Sequence, residues 1–180
     1  MPIRQSMTLF HQNQLYIIKM IDKYITNLAL RFSEKPIWKS IIILFFLITA
    51  CSLVSACFIS LGYDMKGPNT VLAKMSFING FLFACILSPI LETGLLYILI
   101  FLTNKYLTKS ITIQIFLPAV IFGSLHTYSL LYIIYAILAG IVFCFGFCSY
   151  YYNRGFKTAF WSITLIHLLR NALPFLLRLI

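Results

Sequence analysis

Ser88-Pro89-Ile90-Leu91-Glu92-Thr93-Gly94-Leu95-Leu96-Tyr97 lies inside an apolar run from about Phe77 to Leu102. A carboxylate at the centre of such a run costs roughly +3 kcal/mol to place in hydrocarbon. The chain has four acidic residues, Asp22, Glu34, Asp64 and Glu92, so none follows Glu92. Histidine is nearly as sparse, with His11, His126 and His167, the last two inside or at the ends of later apolar runs. A chain that removes ionisable groups from its apolar runs yet keeps one Glu and two His there is expected to use them. The plain alternative is a protonated Glu92, hydrogen-bonded inside a helix bundle.

Outward from this stretch, 61% of the 180 residues are hydrophobic, 10% are charged, and the mean hydropathy is +0.94. That balance excludes an ordinary soluble domain and predicts an all-α, polytopic membrane helix bundle. The net charge of +10 does not indicate nucleic acid. The basic residues sit mainly between the apolar runs, where they orient a membrane protein. The five cysteines lie in apolar runs without a CxxC pair and read as small packing residues. No signal-peptide pattern is evident at the N-terminus.

Residues 1–39 form a basic segment, and residues 40–180 the transmembrane domain. In the first, Leu15, Ile18, Ile21, Ile25 and Leu28 recur at helical spacing, interrupted by Lys19, Asp22 and Lys23. This predicts an amphipathic helix lying in the membrane interface. Pro36 ends it. Five spans are then expected, at about 40–61, 75–102, 111–126, 129–151 and 158–179. The loops between them are 62–74 (turn-rich, with Asp64, Lys66, Pro68 and Asn69), 104–110, 127–128 and 153–157. Pro89 predicts a kink one turn before Glu92. Tyr150-Tyr151-Tyr152 reads as an interfacial aromatic belt. The Lys and Arg distribution puts the N-terminus in the cytoplasm and the C-terminus outside. Only the loop after the first span, with Lys66 and Lys74, runs against it.

With that topology and a rise of 1.5 Å per residue, Glu92, His126, His167 and Asn171 lie roughly 15–25 Å from the cytoplasmic basic residues. Three helices thus bring these groups to a similar depth. His167 and Asn171, at i and i+4, share one helix face, and Arg170 shares much of it. A Glu beside a His can hold and deprotonate water. A second His and an Asn can stabilise an oxyanion. The same Glu92, His126 and His167 are also ligand types for zinc, but no HExxH helix is present, and the metal-free, cofactor-free reading is preferred.

Pro89-Ile90-x-Glu92, Phe122-x-x-x-His126 and His167-x-x-x-Asn171, in this order on successive apolar runs, resemble the CAAX protease and bacteriocin-processing family. The resemblance covers about residues 75–175. It implies an intramembrane endopeptidase in which Glu92 and His126 activate water while His167 and Asn171 stabilise the oxyanion. It also implies a membrane-associated protein or peptide as substrate, in a prokaryotic cytoplasmic membrane. The family's first motif is a Glu-Glu pair followed by three residues and Arg. Here Thr93 replaces the second Glu and Tyr97 the Arg. Thr93 and Tyr97, one turn apart, are expected to replace the ion pair with a neutral hydrogen bond. Alternatively Arg170 supplies the lost positive charge, or it snorkels to the outer surface. The degenerate motif also admits an inactive relative acting as a membrane scaffold or bacteriocin-immunity protein. A proton-coupled carrier is disfavoured by the lack of an internal repeat.

Overall fold

The computed structural model describes the backbone of residues 2–63, 67 and 74–177, and the side chains of 14–63, 67 and 74–176. Asp64, Lys66, Pro68 and Asn69 of the predicted turn-rich loop, and the His11 side chain, lie outside the described residues. The described residues are helical, without strands. The helices are α1 (Pro2–Glu34), α2 (Ile37–Ser60), α3 (Phe77–Phe81), α4 (Ser88–Leu102), α5 (Ile111–Ser124) and α6 (Leu130–Leu177). A π-helical turn, Leu82–Leu87, joins α3 to α4, and a second, Thr103–Leu107, extends α4. The loop expected at 104–110 is therefore confined to 108–110, because the π turn carries the ladder past Lys105.

Three apolar helices, Ile37–Ser60, the continuous Phe77–Leu107 rod, and α6, are long enough to cross a membrane. α6 is not one straight rod. Gly155 has φ 79° and ψ 171°, a region that side chains exclude. Contacts are symmetric about it: Gly146 faces the Ile163 side chain, and the Phe143 and His167 rings lie 4.7 Å apart. The chain thus folds back at Gly155 into two antiparallel arms, 130–154 and 156–177. They match the fourth and fifth expected spans, but the loop between them shrinks to a single residue.

The core forms where α2, α4, α5 and both arms meet. Leu44, Leu96, Ile115, Phe147 and Ile163 are almost completely buried there. α5 packs on the first arm through Gly123. A methyl group there would lie 2.6 Å from the Ile137 backbone nitrogen, so only glycine lets the helices approach this closely. The three tyrosines do not form one belt. Tyr150 is fully buried and Tyr152 is exposed, because successive residues of a helix point about 100° apart. Cys85, Cys144 and Cys148 are buried packing residues, while Cys57 is exposed; all five cysteines are free thiols.

Among the described residues, hydrogen bonds fasten α1 at two points to the part of the bundle that follows α2. The Asp22 carboxylate accepts hydrogen bonds from Ser110 Oγ (2.6 Å) and Thr112 N (3.0 Å), capping α5 across space. At the other point, Arg154 donates from Nε to Ser33 O (2.9 Å) and from Nη2 to Lys35 O (2.9 Å), so a cation meets the C-terminus of α1. Ala29, Phe32 and Ser33 are buried against the bundle, whereas Leu15, Ile18, Ile21 and Leu28 stay exposed. These bonds also gather the end of α1, the 108–110 loop and the Gly155 corner at one end of the bundle. Gln114 is buried at that end. It accepts from the Tyr152 hydroxyl and donates to Thr108 O at 3.2 Å.

Candidate active site

Glu92 lies near the middle of the Phe77–Leu107 rod, His126 just past the end of α5, and His167 midway along the second arm of α6. The fold brings all three together. Glu92 Oε2 is 3.5 Å from His167 Nε2 and 3.8 Å from His126 Nε2, while Ser88 Oγ donates to Oε1. Both carboxylate oxygens are thus engaged, one by its own helix and one by two imidazoles from other helices. Sequence reasoning misses Ser88, one turn before Glu92, although its i, i+4 spacing is a signal that could find it.

The second ring nitrogens assign the tautomers. His126 Nδ1 lies 2.8 Å from Phe122 O, a pure acceptor, so Nδ1 carries a hydrogen. In the neutral ring Nε2 is then an acceptor facing the cavity. Phe122 is buried and its ring lies tilted against that of His126, with centroids 4.6 Å apart. Among the described residues, His167 Nδ1 is buried without a hydrogen-bond partner. Its hydrogen is best placed on Nε2, pointing at Glu92, since a buried unmatched N–H is costly. His167 therefore faces the carboxylate rather than a separate oxyanion position.

Asn171 lines the same cavity, and one of its amide hydrogens is committed. In the π turn, bonds run from residue i+5 to residue i, as from Ser88 N to Phe83 O. The next rung would join residue 89 to Ala84, but Pro89 has no N–H. Asn171 Nδ2 donates to Ala84 O at 2.8 Å and fills that place. The expected kink at Pro89 is thus taken up by the π turn and completed from the second arm.

Thr93 and Tyr97 do not form the expected neutral pair. Thr93 is fully buried, and its hydroxyl has no hydrogen-bond partner among the described residues. The Tyr97 ring packs among Phe101, Phe147, Tyr151 and Phe156, drawn by aromatic packing away from Thr93. Arg170 does not snorkel to the outer surface. Half-buried, it donates from Nε to Ser52 Oγ of α2 at 2.7 Å, and its guanidinium lies 5.8 Å from the Tyr135 ring centroid. Among the described residues it has no carboxylate partner within ion-pair distance.

Ser88, Glu92, His126, His167, Arg170 and Asn171 line one cavity of about 410 Å³. It extends from Ile48 and His167 in mid-bundle to Ile59, Gly67 and Tyr128, at the end remote from Gly155. Its walls are largely aromatic and aliphatic, with Glu92, His126, His167, Arg170 and Asn171 as the groups able to do chemistry. Among the described residues, no group of three or more His, Cys, Asp and Glu is arranged to hold a metal ion. Comparisons with protein-family models, with curated proteins and with solved structures give no match to this chain.

Proposed function

We propose that this chain is an integral membrane endopeptidase that hydrolyses a peptide bond of a membrane-associated protein or peptide. One observation carries the reading: a Glu and two His, from three separate helices, converge on a cavity inside an apolar bundle. Such groups are expensive in hydrocarbon and are retained where they act. The motif resemblance to the CAAX protease and bacteriocin-processing family points the same way.

The membrane arrangement follows from length and charge. α2, the Phe77–Leu107 rod and the two arms of α6 cross the membrane, and α5 is the short element between the rod and the first arm. α5 has 14 residues and reaches only about 21 Å, short of a hydrocarbon layer of about 30 Å. It therefore ends inside the membrane and leaves His126 within the layer, short of the far surface. Lys35, Lys39, Lys105, Lys109, Arg154 and Lys157 belong to the end that holds the Gly155 corner. That end faces the cytoplasm by the positive-inside rule, with α1 in the interface and its exposed apolar face toward lipid.

His126 Nε2 and Glu92 Oε2 are two acceptors close enough to share one water at the usual ~2.8 Å. Such a water donates both protons and turns a lone pair toward the substrate carbonyl. Its oxygen attacks the carbonyl carbon, Glu92 takes the proton, and that proton passes to the leaving amine as the C–N bond breaks. The His167 N–H holds the carboxylate in place. The uncommitted amide hydrogen of Asn171 is the donor for the oxyanion. No metal or other cofactor is required by this scheme.

The test is cleavage of a membrane-peptide library by the purified protein in liposomes, with Glu92→Gln and His126→Ala as controls, with and without a chelator. Cleavage that is lost in both variants and insensitive to chelator supports the scheme. Loss with chelator, restored by zinc, reassigns Glu92, His126 and His167 as metal ligands. The second reading, a non-catalytic scaffold or immunity protein, is favoured by the structural use of Asn171, which gives that residue a role without catalysis. Stable, folded protein that binds peptides but cleaves none would establish it.

A further inference from the structure

Among the described residues, Arg170 is the one strongly basic group lining the cavity. A guanidinium carries five N–H donors in a planar fork. One donates to Ser52 Oγ, and the Tyr135 ring lies beside the fork. The remaining donors have no carboxylate among the described residues to take them. Glu92 is already engaged by Ser88, His126 and His167. A cation held by neutral neighbours in an apolar cavity is itself costly, and a planar anion would offset that cost bidentately.

The position of Arg170 fixes what the anion must be attached to. It follows His167 by three residues, about 4.5 Å along the helix, in the direction away from Gly155. It thus stands between Glu92 and the end of the cavity bounded by Ile59, Gly67 and Tyr128. An extended peptide advances about 3.3 Å per residue. A group bound at Arg170 therefore belongs to a residue one or two positions from the carbonyl at Glu92.

We propose that Arg170, held by Ser52 and Tyr135, is a carboxylate-binding subsite that selects peptides carrying a carboxylate within one or two residues of the bond placed at Glu92. The carboxylate comes from an Asp or Glu side chain or from the peptide's own C-terminus. The placement of the cleaved bond rests on the peptidase reading, whereas carboxylate selection by Arg170 does not.

The test measures binding, using full-length Glu92→Gln protein in detergent micelles so that peptides survive. The probes are matched fluorescent hydrophobic peptides in four forms: Glu or Gln near the C-terminus, each with a free or an amidated C-terminus. The Glu92→Gln protein is expected to bind carboxylate-bearing probes about tenfold more tightly than the neutral Gln-amide. Added Arg170→Gln removes the difference, and Arg170→Lys keeps part of it. The form that retains the advantage identifies the source of the carboxylate. Equal affinity for all four probes, no binding of any, or a preference that survives Arg170→Gln overturns the proposal. If Arg170→Gln protein does not fold, the four-probe comparison and Arg170→Lys still decide. Arg170-dependent binding without cleavage by the unsubstituted protein leaves the subsite standing and removes the peptidase reading. Cleavage without a carboxylate preference does the reverse.

Discussion

Asn171 supplies to Ala84 the hydrogen bond that Pro89 cannot, joining the second arm of α6 to the helix carrying Glu92. Losing it leaves a partly buried carbonyl unmatched, at a cost of up to about 1–3 kcal/mol. Asn171→Leu is therefore expected to lower the thermal midpoint in detergent. Pro89→Ala restores the missing N–H, so in that background Asn171→Leu should cost much less. The coupling is expected at about 1–2 kcal/mol. Additive effects would show that the two residues do not serve the same carbonyl.

Glu92→Gln keeps the shape of the side chain but removes the base that the proposed peptidase scheme requires. Under that scheme peptide hydrolysis should fall by about 10²–10⁴-fold, and His126→Ala should do much the same. The double variant should then be little worse than either single one, since the scheme has both groups act on one water. Rates measured at saturating peptide would check this, and a multiplicative loss would separate their roles.

Gly155 occupies a conformation essentially reserved for glycine, yet, its chain neighbours aside, a methyl group added there would meet no atom of the described residues within 4 Å. Gly155→Ala should therefore destabilise through backbone strain alone, by about 1–3 kcal/mol. Gly94, inside a helix, also has open space around it among the described residues but carries no such φ, so Gly94→Ala serves as the control and should be neutral or slightly stabilising. Thermal or denaturant unfolding of the two variants makes the comparison.

Asp22 links α1 to α5. Burial raises its carboxyl, but the hydrogen bonds from Ser110 and Thr112 outweigh that, and it titrates below the ordinary aspartate value. A depressed carboxyl stabilises the fold above the unfolded-state value of ~3.9 and loses that contribution as pH falls through its lower folded value. Asp22→Ala should cost about 1 kcal/mol near neutral pH, as a lost helix cap does. The gap between the variant and the unsubstituted protein should close on acidification from about pH 5 to about pH 2. A gap independent of pH would mean the carboxylate charge is not what holds α1.

The helix pattern and the Glu–His–His meeting point were legible because hydrocarbon makes ionisable groups rare, so the few that remain stand out. Spacing along a helix also placed His167, Arg170 and Asn171 on related faces. Partners distant in sequence were not legible. Asp22 read as an interruption of an apolar stripe, yet it caps α5, because nothing local names residues 110 and 112 as its partners. Thr93 and Tyr97 have the right spacing for a hydrogen bond, but aromatic neighbours from α6 claim the tyrosine ring. Pro89 announced a defect in its helix, and only the packed second arm reveals how that defect is filled.

The anchors of α1 impose an order on biosynthesis. Its residues leave the ribosome before their partners: Ser110, which Asp22 holds, follows 88 residues later, and Arg154, which holds Ser33, follows 121 residues later. Until the Gly155 corner has been translated, α1 lacks its second fastening. A helix made before the rest of the bundle is thus among the last to reach its final seat, and nascent chains halted before residue 153 should leave it open to protease.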